Sequence, residues 1–197
     1  MTTPHEKGNP TRWRVFCAIN LPPAVHERVR EHITRLRASA PDARANWNRD
    51  DKLHLTIKFL GDMGPERVAD LSLAATHAVS AMKPFTLAAE GCGAFPPHGE
   101  PRVLWIGIVD AAGELARLYE RLEEQCSARG FKLEQRPFRP HLTIARLRRT
   151  QDARRLAAIH RELDFARTEF NVGELLVIRS ELDSDGSRYT EISRHMM

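Results

Sequence analysis

Leu53-His54-Leu55-Thr56-Ile57-Lys58-Phe59 contains a four-residue phrase that returns in the second half of the chain as His141-Leu142-Thr143-Ile144. In both copies apolar and polar side chains alternate, which is the pattern of a β-strand with one buried face. Successive side chains of a strand point to opposite faces, so His54, Thr56 and Lys58 are expected to lie together, opposite the apolar residues. By the same alternation, the second copy exposes its His and its Thr side by side.

Two strands of this kind, if they face each other, bring two imidazoles and two hydroxyl groups to one place. The ordinary pKa of histidine, about 6.5, leaves both protonation states available near neutral pH, so one ring can accept a proton while the other donates one. Hydroxyl groups can donate hydrogen bonds to oxygens on which negative charge builds. His54, Thr56, His141 and Thr143 are therefore the candidate catalytic residues, and together they could move protons around a phosphodiester. The alternative is two ordinary strands that each expose a His and a Thr.

Length and composition indicate a globular protein of one or two compact domains, since 197 residues can bury a core and 42% are hydrophobic and 28% charged. No apolar run approaches the roughly 18 residues that a membrane-spanning helix needs, so no membrane partner is expected. The first residues, Met1–Asn9, are polar and do not resemble a secretory signal, which predicts a cytoplasmic protein.

The basic residues favour a polyanionic partner. The net charge is +4, and 25 of the 30 basic residues are Arg, which grips phosphate through two hydrogen bonds where Lys acts as a point charge. One basic run that could contact an RNA backbone comprises Arg146, Arg148, Arg149, Arg154 and Arg155. The alternatives are a genome that favours Arg codons and a solvated helix face.

The cysteines and the remaining histidines predict neither a metal site nor a cofactor. The three Cys residues are widely spaced with no Cys-x-x-Cys, so Cys17 and Cys126 are expected to be small buried hydrophobes. Two motif His without a carboxylate or Cys at ligand spacing make a poor zinc set. The histidines expected to be solvated on helices are His26, His32, His77 and His160. His98 lies in a loop and is expected to lie outside the cleft.

Hydrophobic periodicity predicts strands at about 12–21, 53–60, 85–95, 103–109, 141–147, 170–182 and 188–193, and helices at about 22–40, 65–82, 113–129 and 151–163. Each half of the chain then holds one motif strand and two helices. This order predicts an α+β fold: a bilobal duplication in which two mainly antiparallel sheets face a central cleft, with the helices outside. No flexible linker separates the halves, so residues 12–197 are expected to form one domain of two lobes behind a flexible extension over residues 1–11.

These residues resemble the 2H phosphoesterase superfamily, which is named for two His-x-Thr motifs on facing strands of a bilobal fold. Within it the chain is most similar to the bacterial and archaeal RNA 2′,3′-cyclic phosphodiesterases, also called 2′–5′ RNA ligases. The matching segments follow the family's order over nearly the whole chain: 14–22, 53–62, 93–96, 101–105, 138–146 and 180–189. The resemblance implies that RNA ends with a 2′,3′-cyclic phosphate are hydrolysed to a 2′-phosphomonoester, with His54 as proton donor and His141 as acceptor.

The resemblance and the patterns also suggest substrate contacts. Arg146 matches a family position linked to phosphate binding, although simple alternation puts it opposite His141 unless the strand bends or ends there. Phe16 lies on the face of its strand opposite the regular apolar residues, where it could stack on a base or be covered by a neighbouring element. Arg102, beside a turn, is a weaker candidate.

Rival functions remain open at this point. One is a phosphodiesterase or ligase that acts on 2′–5′ linkages or small cyclic nucleotides. Another is a non-catalytic RNA-binding module, against which the intact His and Thr of both motifs argue, because binding alone would favour Arg or Lys. A monomer is expected.

Overall fold

The architecture is seen in a computed structural model, which describes residues 12–147, 151–183 and 186–197. The strands are β1 (Trp13–Asn20), β2 (Ala45–Trp47), β3 (His54–Met63), β4 (Phe85–Phe95), β5 (Val103–Val109), β6 (His141–Leu147), β7 (Thr168–Val172), β8 (Glu174–Asp183) and β9 (Gly186–Met196). The helices are α1 (Pro23–Ser39), α2 (Val68–Val79), α3 (Glu114–Ser127) and α4 (Gln151–Leu163), and single 3₁₀ turns cover Asp50–Lys52 and Pro65–Arg67. The predicted N-terminal extension and the residues Arg148 and Arg149 of the basic run lie outside the described residues.

Two antiparallel sheets form the centre of the fold, as the sequence predicted. The first sheet has the order β3-β1-β8-β9 and the second the order β2-β6-β5-β4-β7. The two motif strands thus belong to different sheets, and Cα atoms of β3 and β6 approach within 8 Å of each other. The sheets are not the two halves of the sequence, because the first sheet takes its strands from both ends of the chain.

Each sheet is covered by one helix from each half of the chain. Helices α2 and α3 pack on each other and against β3, β8 and β9 of the first sheet, while α1 and α4 pack together and α4 contacts β4 of the second. The predicted apolar stripes are buried, such as Val25, Val29, Ile33 and Leu36 of α1. One cluster of buried apolar residues includes members of both sheets and of all these helices. None of the helices in the described part of the chain is long and apolar enough to cross a membrane.

The strand predicted over residues 170–182 is in fact two strands in different sheets. The chain divides at Gly173, so that β7 pairs with β4 in the second sheet and β8 pairs with β1 in the first. Both segments bury one face, and the apolar alternation therefore does not reveal the change of sheet. The sequence also missed β2, which at three residues is too short to show a period.

The first motif strand contains a β-bulge that changes the predicted face of Lys58. Ala18 pairs with Thr56 but the preceding Cys17 pairs with Lys58, which leaves Ile57 as an extra residue. Beyond the bulge the alternation is inverted, and Lys58 turns into the core, where it is 3% exposed and forms an ion pair with Glu123 of α3. The expectation that Lys58 shares the face of His54 and Thr56 is therefore wrong. The strand also runs on past the predicted end at residue 60 to Met63.

The second motif strand has the same bulge at the same position. Trp105 pairs with Thr143 and Leu104 with Ala145, so Ile144 is the extra residue. The exposure along the two strands agrees residue by residue: the His and Thr are half-buried, the residues after the Thr are buried, and the sixth residue, Phe59 or Arg146, is exposed. The duplication inferred from four residues thus extends to the backbone irregularity that follows them.

Candidate active site

His54 is the first residue of β3 and rests on an aromatic layer of the first sheet. Its ring stacks on Phe16 at a centroid distance of 4.8 Å and meets the ring of Tyr189 edge-on at 5.3 Å. Burial lowers the pKa of His54 to about 4, and a hydrogen bond to the backbone of Lys52 acts in the opposite direction. The imidazole is therefore neutral at pH 7 in the free protein.

His141 is the first residue of β6 and is held in the same manner. Its Nδ1 lies 2.7 Å from the carbonyl oxygen of Arg139, and because a carbonyl only accepts, Nδ1 carries the proton and Nε2 keeps its lone pair. The ring of Phe95 meets it edge-on at 5.0 Å. Burial lowers the pKa of His141, the bond to Arg139 opposes this shift, and the charge of Arg146 lowers the pKa further. Both motif imidazoles thus bond to the backbone two residues earlier and sit against aromatic rings.

Asn48 fixes the backbone around the second motif. Its Nδ2 donates to the carbonyl oxygen of Thr143 at 2.7 Å, and its backbone N–H donates to the carbonyl oxygen of Ile144 at 2.9 Å. These two bonds hold the bulge from the side of β2. Asn48 could not be predicted from the sequence, since nothing in the local pattern links it to a strand almost a hundred residues away.

A glycine makes room for the aromatic surface beside His141. A Cβ on Gly93 would lie 2.1 Å from the indole ring of Trp105, so no larger residue fits there without displacing the ring. Trp105 in turn packs against Phe95, with the ring centroids 5.3 Å apart. The second sheet therefore presents aromatic side chains around its motif, as the first sheet does around His54.

The three predicted substrate contacts, Arg146, Arg102 and Phe16, have different surroundings in the structure. The bulge at Ile144 inverts the alternation, so Arg146 lies on the face of His141, and the strand does bend as that placement required. Burial raises the pKa of Tyr189 while the charge of Arg146 lowers it, which puts Arg146 within electrostatic reach of the first sheet as well. Arg102 is exposed, and its backbone hydrogen bonds join Phe95 to the end of β6.

Phe16 packs under the ring of His54 and is too buried to stack on a base. It is 2% exposed and lies between the rings of His54, Phe59 and Tyr189. The covered alternative for Phe16 is therefore the one observed. Phe59, which is 53% exposed and packs against Phe16, is the aromatic that a base could reach, and the bulge that exposes it was not visible in the sequence.

The other histidines are only partly where the sequence placed them. His77 is exposed as expected, but His32 and His160 are 3% and 0% exposed, so their predicted solvation is wrong. The two rings pack edge to face, with His32 Nε2 and His160 Nδ1 2.9 Å apart, and the pattern of either helix alone cannot show this contact. His98 lines a cavity beside α4 with Arg154 and Arg161. Cys17 and Cys126 are fully buried, as predicted.

Comparison with known proteins gives consistent matches over most of the chain. A family model described as the 2′-5′ RNA ligase superfamily matches residues 22–184. The RNA 2′,3′-cyclic phosphodiesterase of Geobacillus stearothermophilus is 35% identical over 70% of this chain, which spans only 43% of that relative. The protein of the same name from Thermus thermophilus is 33% identical over 92% of this chain and 88% of its own length. The crystal structure of E. coli LigT complexed with 3′-AMP has a TM-score of 0.70 at 27% identity and covers 94% of this chain and 98% of its own.

Proposed function

Because the chain belongs to the 2′-5′ RNA ligase superfamily, we propose that it is an RNA 2′,3′-cyclic phosphodiesterase that hydrolyses the terminal cyclic phosphate of RNA to a 2′-phosphomonoester. The observation that carries this proposal is the matched pair of half-buried imidazoles, His54 and His141, on adjacent strands of the two sheets. Each imidazole is followed, two residues later on the same strand face, by a threonine hydroxyl, that of Thr56 or Thr143. The relatives' names give the substrate class.

In the proposed reaction water attacks the phosphorus in line with the bond to O3′. Neutral His141 takes a proton from the water through Nε2, whose lone pair is left free by the bond from Nδ1 to Arg139. As the P–O3′ bond breaks, His54 gives a proton to O3′ and the phosphate stays on O2′. Thr56 and Thr143 donate hydrogen bonds to the non-bridging oxygens as negative charge grows on them.

The charges around the two motifs support this division of roles. Arg146 disfavours a second positive charge on His141, whereas the equivalent position after His54 holds the uncharged Phe59. Burial alone keeps His54 neutral, so its proton must be taken up together with the anionic phosphate, whose charge raises an imidazole pKa. Arg146 is proposed to hold the phosphate by a charge-assisted hydrogen bond.

The chemistry is proposed to need no metal and no cofactor at the motifs. Within the described residues, the group of side chains that could hold a metal ion includes neither His54 nor His141. Residues 12–197 are proposed to act as one domain of two lobes, which the shared core of the two sheets supports. A monomer in the cytoplasm that meets RNA ends remains our prediction.

Product analysis tests this function directly. An oligoribonucleotide that ends in a 2′,3′-cyclic phosphate should be converted to the 2′-phosphate, at the same rate with and without EDTA, because the two imidazoles move both protons. A 3′-phosphate product, or no reaction while a 2′–5′ linkage or a small cyclic nucleotide is cleaved, would assign a rival activity. RNA binding without any product would indicate a non-catalytic RNA-binding module. Inhibition by EDTA that a divalent ion reverses would refute metal-free chemistry.

Arg146→Gln should raise KM by roughly 10–100-fold and change kcat less, since a hydrogen bond to a charged group contributes about 1.5–3 kcal/mol to binding. Arg117→Gln is the matched control, because Arg117 is an exposed arginine of helix α3 that lies outside the basic run. Steady-state kinetics on the cyclic phosphate measure both parameters. An unchanged KM in Arg146→Gln would remove this residue from the phosphate site.

A further inference from the structure

Three side chains with metal-binding atoms that belong to neither His-x-Thr motif meet in one cluster. His32 of α1, Cys92 of β4 and His160 of α4 lie on the helix-covered side of the second sheet, and their ligand atoms are all within 4.8 Å of one another. Each is sixty or more residues from the next along the chain, so no ligand spacing in the sequence predicts the cluster. Two of the three are fully buried and Cys92 is half-buried.

A β-bulge aims Cys92 into this cluster. In the pairing of β4 with β5, Glu90 opposes Gly107 and Cys92 opposes Ile106, which leaves Gly91 as the extra residue, with φ of +72°. Strict alternation would have placed Cys92 on the same side as the exposed Glu90. The bulge turns it to the side of the buried Ile106, under α1 and α4, where its sulfur meets His32.

Two of the three distances between the ligand atoms are close to those of a tetrahedral zinc site, and the third is at most 4.8 Å. Zinc bonds of about 2.0–2.1 Å to nitrogen and about 2.3 Å to sulfur place N and S ligands roughly 3.6 Å apart and two N ligands roughly 3.3 Å apart. Cys92 Sγ lies 3.6 Å from His32 Nε2. His32 Nε2 and His160 Nδ1 are hydrogen-bonded at 2.9 Å, and this distance would lengthen by about 0.4 Å around an ion.

The outer contacts of His160 are those of a metal ligand. Its Nε2 lies 3.0 Å from the carbonyl oxygen of Trp105, so Nε2 carries the proton and Nδ1 presents its lone pair to the cluster. Metal-binding imidazoles usually donate their second N–H to a carbonyl or carboxylate in this way, which fixes the ring and its tautomer. Burial lowers the pKa of His32 to about 4, so this ring is also neutral near pH 7.

Asp164 provides a second negative charge beside the cluster. It follows α4 directly, with φ of 46°, and its carboxylate acts electrostatically on His32, Cys92 and His160. With the Cys92 thiolate it would balance the charge of a divalent cation.

We propose that His32, Cys92 and His160 bind one Zn²⁺ ion, which fastens α1 and α4 to β4 as a structural site. Two imidazoles and a thiolate form a donor set that suits zinc. Zn²⁺ is also redox-inactive, as a purely structural ion should be. On binding, the Cys92 thiol loses its proton to solvent, and the N–H of His32 moves from Nε2 to Nδ1 as Nε2 becomes a ligand. One proton is released for each ion bound.

The test is a metal titration of the 197-residue chain after removal of bound metal with a chelator. Wild type should bind one equivalent of Zn²⁺ in competition with a chromogenic chelator. Because one proton is released for each ion bound, the affinity should rise by about tenfold per pH unit near neutral pH. Co²⁺ as a spectroscopic probe should give tetrahedral visible bands and a thiolate charge-transfer band.

Variants separate this site from adventitious binding. Cys92→Ser should weaken zinc binding by at least about 100-fold and abolish the thiolate band, whereas Cys126→Ala, which removes a buried thiol elsewhere, should bind like wild type. Zinc at about 100 times the wild-type Kd should raise the Tm of wild type by roughly 5–10 °C and that of Cys92→Ser by no more than about 2 °C. Absence of stoichiometric zinc in wild type, or equal binding by Cys92→Ser, overturns the proposal.

The proposal of a zinc site and the proposal of catalysis can be refuted independently of each other. Cys92→Ser, assayed at a temperature where circular dichroism shows it folded, should hydrolyse the cyclic phosphate at the wild-type rate, because none of its contacts involves His54 or His141. If Cys92→Ser is folded without zinc but has lost turnover, the site is not purely structural. Stoichiometric zinc in a protein that hydrolyses no cyclic phosphate would leave the site intact and refute only the proposed function.

Discussion

Alanine in place of either motif histidine, His54→Ala or His141→Ala, should slow turnover of a 2′,3′-cyclic phosphate by about 10²–10⁴-fold, the usual contribution of one acid–base group. Each ring is oriented by a backbone hydrogen bond and its pKa is lowered by burial, so alanine removes both a positioned group and its proton-transfer capacity. Single-turnover rates with saturating enzyme measure the chemical step without product release.

The control for this prediction must separate chemistry from folding. His54 packs on Phe16 and Tyr189, and its loss could loosen the first sheet, so thermal unfolding of each variant is needed beside the kinetics. His54→Gln and His141→Gln keep side-chain bulk and polarity but cannot transfer the proton, and they should be as slow as the alanine variants. His98→Ala removes a loop imidazole and should leave the rate unchanged. A folded variant with a near-normal rate would remove that His from the mechanism.

The pH dependence of the same variants assigns the donor and the acceptor. A base works when neutral and an acid works when protonated, so kcat/KM of wild type should be bell-shaped. Because the pKa of each imidazole is lowered in the free protein, the optimum should lie below the ordinary histidine value of about 6.5. His54→Ala should lose the fall in rate towards high pH, and His141→Ala the fall towards low pH. The reverse pattern would exchange the two roles.

Alternation located the motif strands and their first two polar residues because each strand begins with regular pairing. His54 and Thr56 precede the first bulge, and His141 and Thr143 precede the second, so a period of two holds for them. The buried helix stripes were predictable for the same reason, since each faces a single apolar surface. Local periodicity succeeds where the backbone is regular and one face is buried.

What the sequence could not show depends on contacts between distant segments. A bulge adds one residue without changing the apolar composition, so the inversion that buries Lys58 and brings Arg146 to the face of His141 has no local signature. His32 and His160 have the spacing of polar helix residues, and their burial follows from the packing of α1 on α4. Lys58 is buried because Glu123 of α3 supplies the opposite charge.

Valine in place of a motif threonine, Thr56→Val or Thr143→Val, should cost roughly 2–4 kcal/mol of transition-state stabilisation, by analogy with loss of one oxyanion donor. This corresponds to a rate lower by roughly 30–1000-fold. Valine keeps the β-branch and the strand preference, so the strand should pack as before while only the hydroxyl is lost. Thr86→Val, an exposed strand threonine of β4, is the matched control and should have little effect on the rate.

The split between kcat and KM shows when each threonine hydroxyl acts. A hydrogen bond that strengthens only as charge builds on the phosphate oxygens should appear in kcat, with KM nearly unchanged. Thr143 should show this most cleanly, because Asn48 holds its backbone carbonyl and the neighbouring Ile144 in place whatever the side chain. A rise in KM alone would make the threonines ground-state binders. If neither parameter changed in either variant, the convergence of the two motif faces on one phosphate would be wrong, since His and Thr on one strand face must reach the same group.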